Sequence, residues 1–407
     1  MMTVNDTKQK SLLGLPKNVW TLGWASLFND VSSEMIYPLL PLFLTQVLGA
    51  GVVFVGLVEG IAESVSSFLK LFSGWISDRF QRRKGIILLG YSIASVTRPF
   101  MGLVTAPFHV LFLRLADRIG KGLRTSPRDA LLSQSCTDGE RGKAFGFQRA
   151  MDHAGAMGGP LVASLLLATL IRDLRTIFLL SFIPACFCVW VLFRGVTEES
   201  RQPVLAHRPF SVHWNEWDKR FKLFLLIITT FTLGNSSDAF LLLRATDLGI
   251  GAVSIPVLWF FLHLSKTIFS IPGGILSDKI GRRKVMILAW AVYGLVYLGF
   301  AFASKPTHVW LLFFVYGLFF GLAEGTERAW VADLVEESKR GTAYGAYHFF
   351  LGMATLPASL IMGLLWQTLG VTWAFCFGSG MALMAALLAI VLLKPEMRKR
   401  AAVPGTA

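Results

Sequence analysis

The chain has 407 residues, of which 54% are hydrophobic, 16% charged and 13% aromatic, and its formal net charge is +14. A water-soluble domain carries roughly 25% charged residues, so this composition excludes disordered, collagen-like and ordinary soluble folds. The four cysteines form no C-x-x-C pair, and neither a disulfide framework nor a zinc site follows from them.

The first seventeen residues are polar and lack both the apolar core and the small-residue cleavage site of a secretory signal. The first apolar span is therefore expected to direct membrane insertion. A helix needs ~20 apolar residues to cross a hydrocarbon core of ~30 Å. Apolar runs bounded by charge clusters or by Gly, Pro and Asn turns predict spans near 19–47, 52–76, 84–104, 107–127, 143–170 and 176–194, then 221–246, 252–276, 284–304, 308–332, 341–368 and 371–393. The expected fold is an all-α membrane protein of twelve transmembrane helices. It divides into a tail (1–18), a six-helix bundle (19–194), a hydrophilic linker (195–220), a second six-helix bundle (221–393) and a second tail (394–407).

The positive-inside rule tests this count. With both termini cytoplasmic, 28 of the 39 Lys and Arg fall in cytoplasmic segments, and only Arg172, Arg175 and Lys305 lie in outer loops. The net charge is thereby accounted for by topology beside an anionic leaflet, without nucleic acid. Localisation in the cell inner membrane is expected, as a functional monomer in the lipid bilayer.

The two halves repeat. The string GWISDRFQRRK from Gly74 to Lys84 returns two hundred residues later as GILSDKIGRRK from Gly274 to Lys284. Arg128 matches Arg328, the run from Gly142 to Gly146 matches Gly341 to Gly345, and Ser32-Ser33-Glu34 matches Ser236-Ser237-Asp238. Parallel repeats of this kind predict a cavity between the halves.

The pattern G-x-L-a-D-r-x-G-R-R-K between the second and third spans and again between the eighth and ninth resembles the signature of the major facilitator superfamily. The second copy, with Gly274, Asp278, Gly281, Arg282 and Arg283, fits throughout, whereas the first has Gln81 at the glycine position. The resemblance implies two six-helix halves rocking about a central site. It also implies that Asp78 and Asp278 form gating ion pairs or helix-end contacts with Arg82, Arg83, Arg282 and Arg283.

A charged group at mid-bilayer costs ~2.5–3.5 kcal/mol even on the insertion scale, so each intramembrane ionisable residue calls for a cavity, a partner or a role. At ~1.5 Å per residue, Asp30 lies ~17 Å and Glu34 ~23 Å into the first span, one turn apart on one face. Glu59 and Glu63 repeat that spacing in the second span. The expectation is that a carboxylate of this group exchanges a proton, with Arg98, Arg114 and Arg118 as ion-pair partners. The segment from Arg114 to Gly122 resembles a second superfamily motif, R-x-x-q-G-x-G-x-G, associated with proton-coupled members, and departs from it at Asp117 and Arg118. Further along, Pro127 with Gly120 and Gly122 predicts a broken helix that leaves Arg124 or Arg128 at the cytoplasmic mouth.

In the fifth span Arg149, Asp152 and His153 precede Gly155, Gly159 and Pro160, a run that resembles the superfamily's antiporter motif. That resemblance implies export. In the second half Asp238 and Lys266 are expected to pair within the membrane, and Glu324 joins the candidate cavity. His153, His263 and His348 lie on different spans without ligand spacing, so no metal site is expected.

No G-x-x-x-x-G-K-[ST], H-E-x-x-H or G-x-S-x-G string occurs, which argues against ATP-driven transport by this chain and against a membrane hydrolase. The reading is a secondary transporter, not an enzyme, with no cofactor, protons as coupling partner and a small organic solute or drug as substrate. Movement of a metal ion, chelate or siderophore, and a non-transporting membrane sensor, are the alternatives.

Overall fold

A computed structural model describes residues 15–80, 83–136, 141–197, 217–336 and 340–393. Most of the first tail, all of the second and most of the expected linker lie outside those residues. Twelve helical units follow in chain order: α1 (Lys17–Ile36), α2 (Val52–Phe80), α3 (Arg83–Phe100), α4 (Pro107–Gln134), α5 (Arg141–Thr169), α6 (Leu174–Gly195), α7 (Lys219–Asp247), α8 (Ser254–Ile280), α9 (Arg282–Phe302), α10 (Pro306–Asp333), α11 (Arg340–Leu369) and α12 (Val371–Leu392). The described residues contain no strand.

Local sequence sets the boundaries. Pro107 and Pro306 open α4 and α10 at a first helical position, where the missing N–H is harmless and φ is already helical. Asp173 caps α6 by accepting from the backbone N–H groups of Arg175 and Thr176, and Asp218 caps α7 through Arg220. Gly49 and Gly249, two hundred residues apart, have φ of 68° and 90°, and these left-handed turns close the first and seventh spans. Irregular turns carry α1 on to Val47, and α7 is interrupted at 235–238.

The packing repeats with the sequence. In the first half α1 packs on α5 and α6, α2 on α4, and α3 on α4 and α6; in the second α7 packs on α11 and α12, α8 on α10, and α9 on α10 and α12. Two seams join these groups, α2 with α11 and α5 with α8. Large apolar side chains such as Phe112, Trp190, Phe193, Leu311 and Trp373 cover the outside, each more than half exposed, as a lipid-facing surface requires.

Among the described residues eight helices are long and apolar enough to cross a membrane. The four outside that group, α1, α3, α4 and α5, supply most of the polar side chains lining the central cavity. Their modest apolarity thus has a structural cause.

One expectation is corrected here. Helix α4 runs unbroken through Pro127 to Gln134. Gly120 and Gly122 serve close approach instead: Gly120 abuts the Gly90 carbonyl of α3, and a Cβ at Gly122 would meet Leu69 of α2 at 2.5 Å. Neighbouring helices pack closely on α4 on both sides one to two turns before the proline, and the helix continues past it.

Candidate transport cavity

A cavity of about 590 Å³ lies between the two groups of helices. Its walls come from α1 to α5 on one side and from Trp259, His263, Arg328, Tyr344 and His348 of α8, α10 and α11 on the other. It reaches down α4 to Arg128 and Asp129, toward the face where α1 begins and α12 ends.

The opposite face is sealed. Along the α2–α11 seam a Cβ on Gly363 would sit 2.9 Å from the Val53 Cα, one on Gly60 would sit 3.2 Å from the Ser359 Cβ, and Ser64 Oγ donates to the Gly352 carbonyl at 2.6 Å. Ser164 Oγ donates to the Val253 carbonyl at 2.8 Å across the α5–α8 seam. Tyr37 and Trp259 meet with ring centroids 5.2 Å apart at the cavity's inner end.

Six charged residues, all but Glu63 buried, form one network on α2, α3 and α4. Arg114 grips Glu59 in bidentate fashion, at 2.9 Å and 3.0 Å. Arg98 donates to Asp117 at 2.9 Å and to the Asn29 carbonyl at 3.0 Å, and Arg118 reaches Glu63 at 3.2 Å. Asp117 also faces Arg114 at 3.6 Å and Arg118 at 3.9 Å, so one carboxylate serves three guanidinium groups. Three cations and three anions balance in formal charge, the condition under which such a cluster tolerates low dielectric. The departures at Asp117 and Arg118 thereby compensate each other: the extra cation comes with an extra anion beside it.

Asp30 and Glu34 are outside this network. Asp30 accepts from the Asn29 amide at 2.7 Å, and Glu34 accepts from Trp259 Nε1 at 2.8 Å. Their position is set by α5. A Cβ on Gly155 would fall 2.5 Å from the Leu27 carbonyl oxygen and 2.9 Å from Asp30 Cβ; one on Gly159 would fall 2.6 Å from the Val31 carbonyl oxygen and 3.0 Å from Glu34 Cβ. The two glycines therefore let α5 pack directly on the backbone that carries the two acids. Asp152 of α5 lines the same side, with Arg149 3.8 Å away and one carboxylate oxygen buried without a hydrogen-bond partner.

Other expectations fare differently. The Asp238–Lys266 ion pair is not formed: Asp238 accepts from Tyr316 Oη at 2.7 Å, while Lys266 Nζ lies 3.4 Å above the Phe320 ring. Aromatic groups of α10 reach both first, Tyr316 at the break in α7 that carries Asp238 and Phe320 beside Lys266. Asp238, Lys266 and Glu324 also lie outside the cavity lining, Glu324 facing Arg328 at 3.4 Å on α10. Glu59 stands behind the wall, held by Arg114.

In the second copy of the repeated loop, Arg282 contacts Asp278 at 2.6 Å and Asp333 of α10 at 3.2 Å, and Arg283 donates to the Ala389 and Ile390 carbonyls of α12. Gly281 between α8 and α9 has φ of 95°. Gly74 and Asp78 fall within the backbone of α2, but their side chains and the whole of Arg82 lie outside the described residues. Arg83 is buried at the start of α3.

Sequence reasoning missed Tyr37, Trp259, Lys70 and Lys121 as cavity residues. Lys70 follows Glu59 and Glu63 at helical spacing on α2, a signal that was available; Lys121 reads in sequence only as a topology charge.

Helical halves that repeat in packing, a polar cavity between them and a seal at one end define a solute carrier. Comparison with known proteins places it: the Major Facilitator Superfamily model matches residues 22–265 and 223–407, and the chain belongs to that superfamily of multi-pass membrane transporters. It is 38% identical over 384 residues to an uncharacterised MFS-type transporter of Methanocaldococcus jannaschii, covering 93% of this chain and 95% of that one. It is 25% identical over 357 residues to the multi-drug resistance efflux pump PmrA of Streptococcus pneumoniae, covering 83% and 86%. Among solved structures, a POT family transporter in complex with 5-aminolevulinic acid superposes with a TM-score of 0.79 at 14% identity, covering 94% of this chain and 97% of that one. The nucleoside transporter NupG superposes with a TM-score of 0.73 at 15% identity, covering 93% and 100%. At such identities these two share the fold.

Proposed function

We propose that the chain is a proton-coupled exporter working by alternating access, with both termini cytoplasmic and the cavity in its inward-facing state. The observation that carries this reading is the contact of Gly155 and Gly159 with the backbone at Asp30 and Glu34. The motif that resembles an antiporter signature sits against the only two cavity carboxylates, among the described residues, that face no arginine or lysine within ion-pair distance. A carboxylate already neutralised by an arginine gains little from a proton, whereas one held by a neutral amide or indole gains or loses a full charge.

In this scheme, opening the α2–α11 and α5–α8 seams exposes Asp30 and Glu34 to the outer face, where they take up a proton. Closure of the outer face and opening to the cytoplasm then lets the proton leave as solute binds. Glu34 is tied to Trp259 of α8, so its charge state bears directly on the contact between the halves. The multi-drug resistance efflux pump among the relatives supports a small organic solute moving outward.

Direction is tested in energised inverted membrane vesicles with a panel of organic anions, cationic drugs, metal ions and siderophores. The reading expects a compound to accumulate inside the vesicles and to leak out when a protonophore is added. Accumulation only in right-side-out vesicles would reverse the direction, and indifference to the protonophore would remove the coupling.

A further inference from the structure

The cavity's charges do not all find partners within the protein. Arg98, Arg114 and Arg118 belong to the balanced network, Arg128 meets Asp129 at 3.0 Å, and Arg149 and Arg328 face acids on their own helices. Three lining cations have no carboxylate oxygen within 4.0 Å among the described residues: Lys70, Lys121 and Arg124. Arg124 lies 4.4 Å over the Tyr91 ring, and its Nη1 is buried without a hydrogen-bond partner.

These three sit together. Lys121 and Arg124 are spaced i, i+3 on one face of α4. At the same level Ser126 Oγ donates to the Lys70 carbonyl at 2.8 Å and Ser73 Oγ to the Gly122 carbonyl at 2.8 Å, which binds α2 to α4 beside them. The facing wall from α8, α10 and α11 contributes Trp259, His263, Arg328, Tyr344 and His348 and no carboxylate. His263 holds both ring nitrogens buried without partners.

Like charges gathered in a membrane cavity with no carboxylate in ion-pair contact are costly, and a bound anion relieves that cost. We propose that the substrate is a small organic anion whose carboxylate, sulfonate or phosphonate group docks on Lys70, Lys121 and Arg124, with its body directed toward Tyr37, Trp259 and His263. The cavity volume suits a ligand of drug size. This assignment rests on the exporter reading for its place in transport, but its binding test does not.

The experiment measures thermal stabilisation of the full chain in lipid nanodiscs by size-matched probes: benzoate, benzenesulfonate and phenylphosphonate as anions, benzylamine as cation and benzyl alcohol as neutral control. The anions are expected to raise the melting temperature and the two controls to leave it unchanged. In Lys70→Gln/Lys121→Gln the half-saturating anion concentration should rise at least tenfold, with Lys70→Arg/Lys121→Arg restoring it. If the double variant does not fold, the single glutamine variants carry the test, each expected to weaken anion binding. Stabilisation by benzylamine instead, or equal anion effects in wild type and glutamine variants, overturns the proposal. Anion binding without proton movement would sink the exporter reading and leave this one; proton movement driven by benzylamine alone would do the reverse.

Discussion

Asp117 shows how a single side chain organises the polar interior. It is 3% exposed and faces three arginines, so its loss strands guanidinium groups in low dielectric. Removing one partner of a buried ion pair costs about 3–5 kcal/mol. Asp117→Asn is accordingly expected to lower the unfolding temperature of the protein in nanodiscs markedly. Glu63→Gln should cost much less, since the Glu63 side chain is 36% exposed and has a single arginine partner. Equal shifts for the two variants would deny Asp117 its central place. In the sequence Asp117 and Arg118 stand out as departures from a motif. That they compensate each other is invisible there, because their main partners come from other helices, Arg98 of α3 for Asp117 and Glu63 of α2 for Arg118.

Between helices, contact is set by where side chains are missing. Gly159 holds α5 on the α1 backbone at Glu34, so Gly159→Leu is expected to push the helices apart and to abolish transport while the protein still inserts and purifies. Gly159→Ala should retain partial activity. Full transport by the leucine variant, measured by vesicle accumulation, would dissociate the motif from the carboxylates. Gly281 has φ of 95°, where any Cβ is strained, and Gly281→Ala is expected to lower the unfolding temperature more than Gly274→Ala, which meets open space. Much of the element pattern was legible in sequence: apolar runs located most of the helices within a few residues, although α4 runs seven residues past the expected end, and the repeated loop gave the symmetry. The continuity of α4 through Pro127 was not legible, because the close packing that accompanies it comes from Gly90, Leu69 and Ser66 of other helices.

At the scale of the molecule the account needs the sealed seams to open. Gly60 and Ser359 face each other across the α2–α11 seam, a Cβ on Gly60 falling 3.2 Å from the Ser359 Cβ, so that a small shift reaches the ~3.5–4.5 Å a disulfide spans. In a background lacking the native cysteines, Gly60→Cys/Ser359→Cys should lose transport on oxidation and regain it with reductant. Undiminished transport with the cross-link fully formed would mean that this seam never opens. Charge balance across the cavity is likewise a property of the whole: the sequence holds 39 basic and 25 acidic residues without saying which of them meet, and only their pairing in space, among the described residues, singles out Lys70, Lys121 and Arg124 as cavity cations and Asp30 and Glu34 as cavity anions without ion-pair partners.

The most direct test of proton coupling is solute-dependent proton movement in proteoliposomes, read with an internal pH dye for wild type, Asp30→Asn and Glu34→Gln. The account predicts that a transported compound drives proton flux in the wild type, and that at least one of the two variants loses this flux while still binding the compound. Transport of that compound with no proton movement in any of the three proteins would contradict it and leave the α1 carboxylates a structural role.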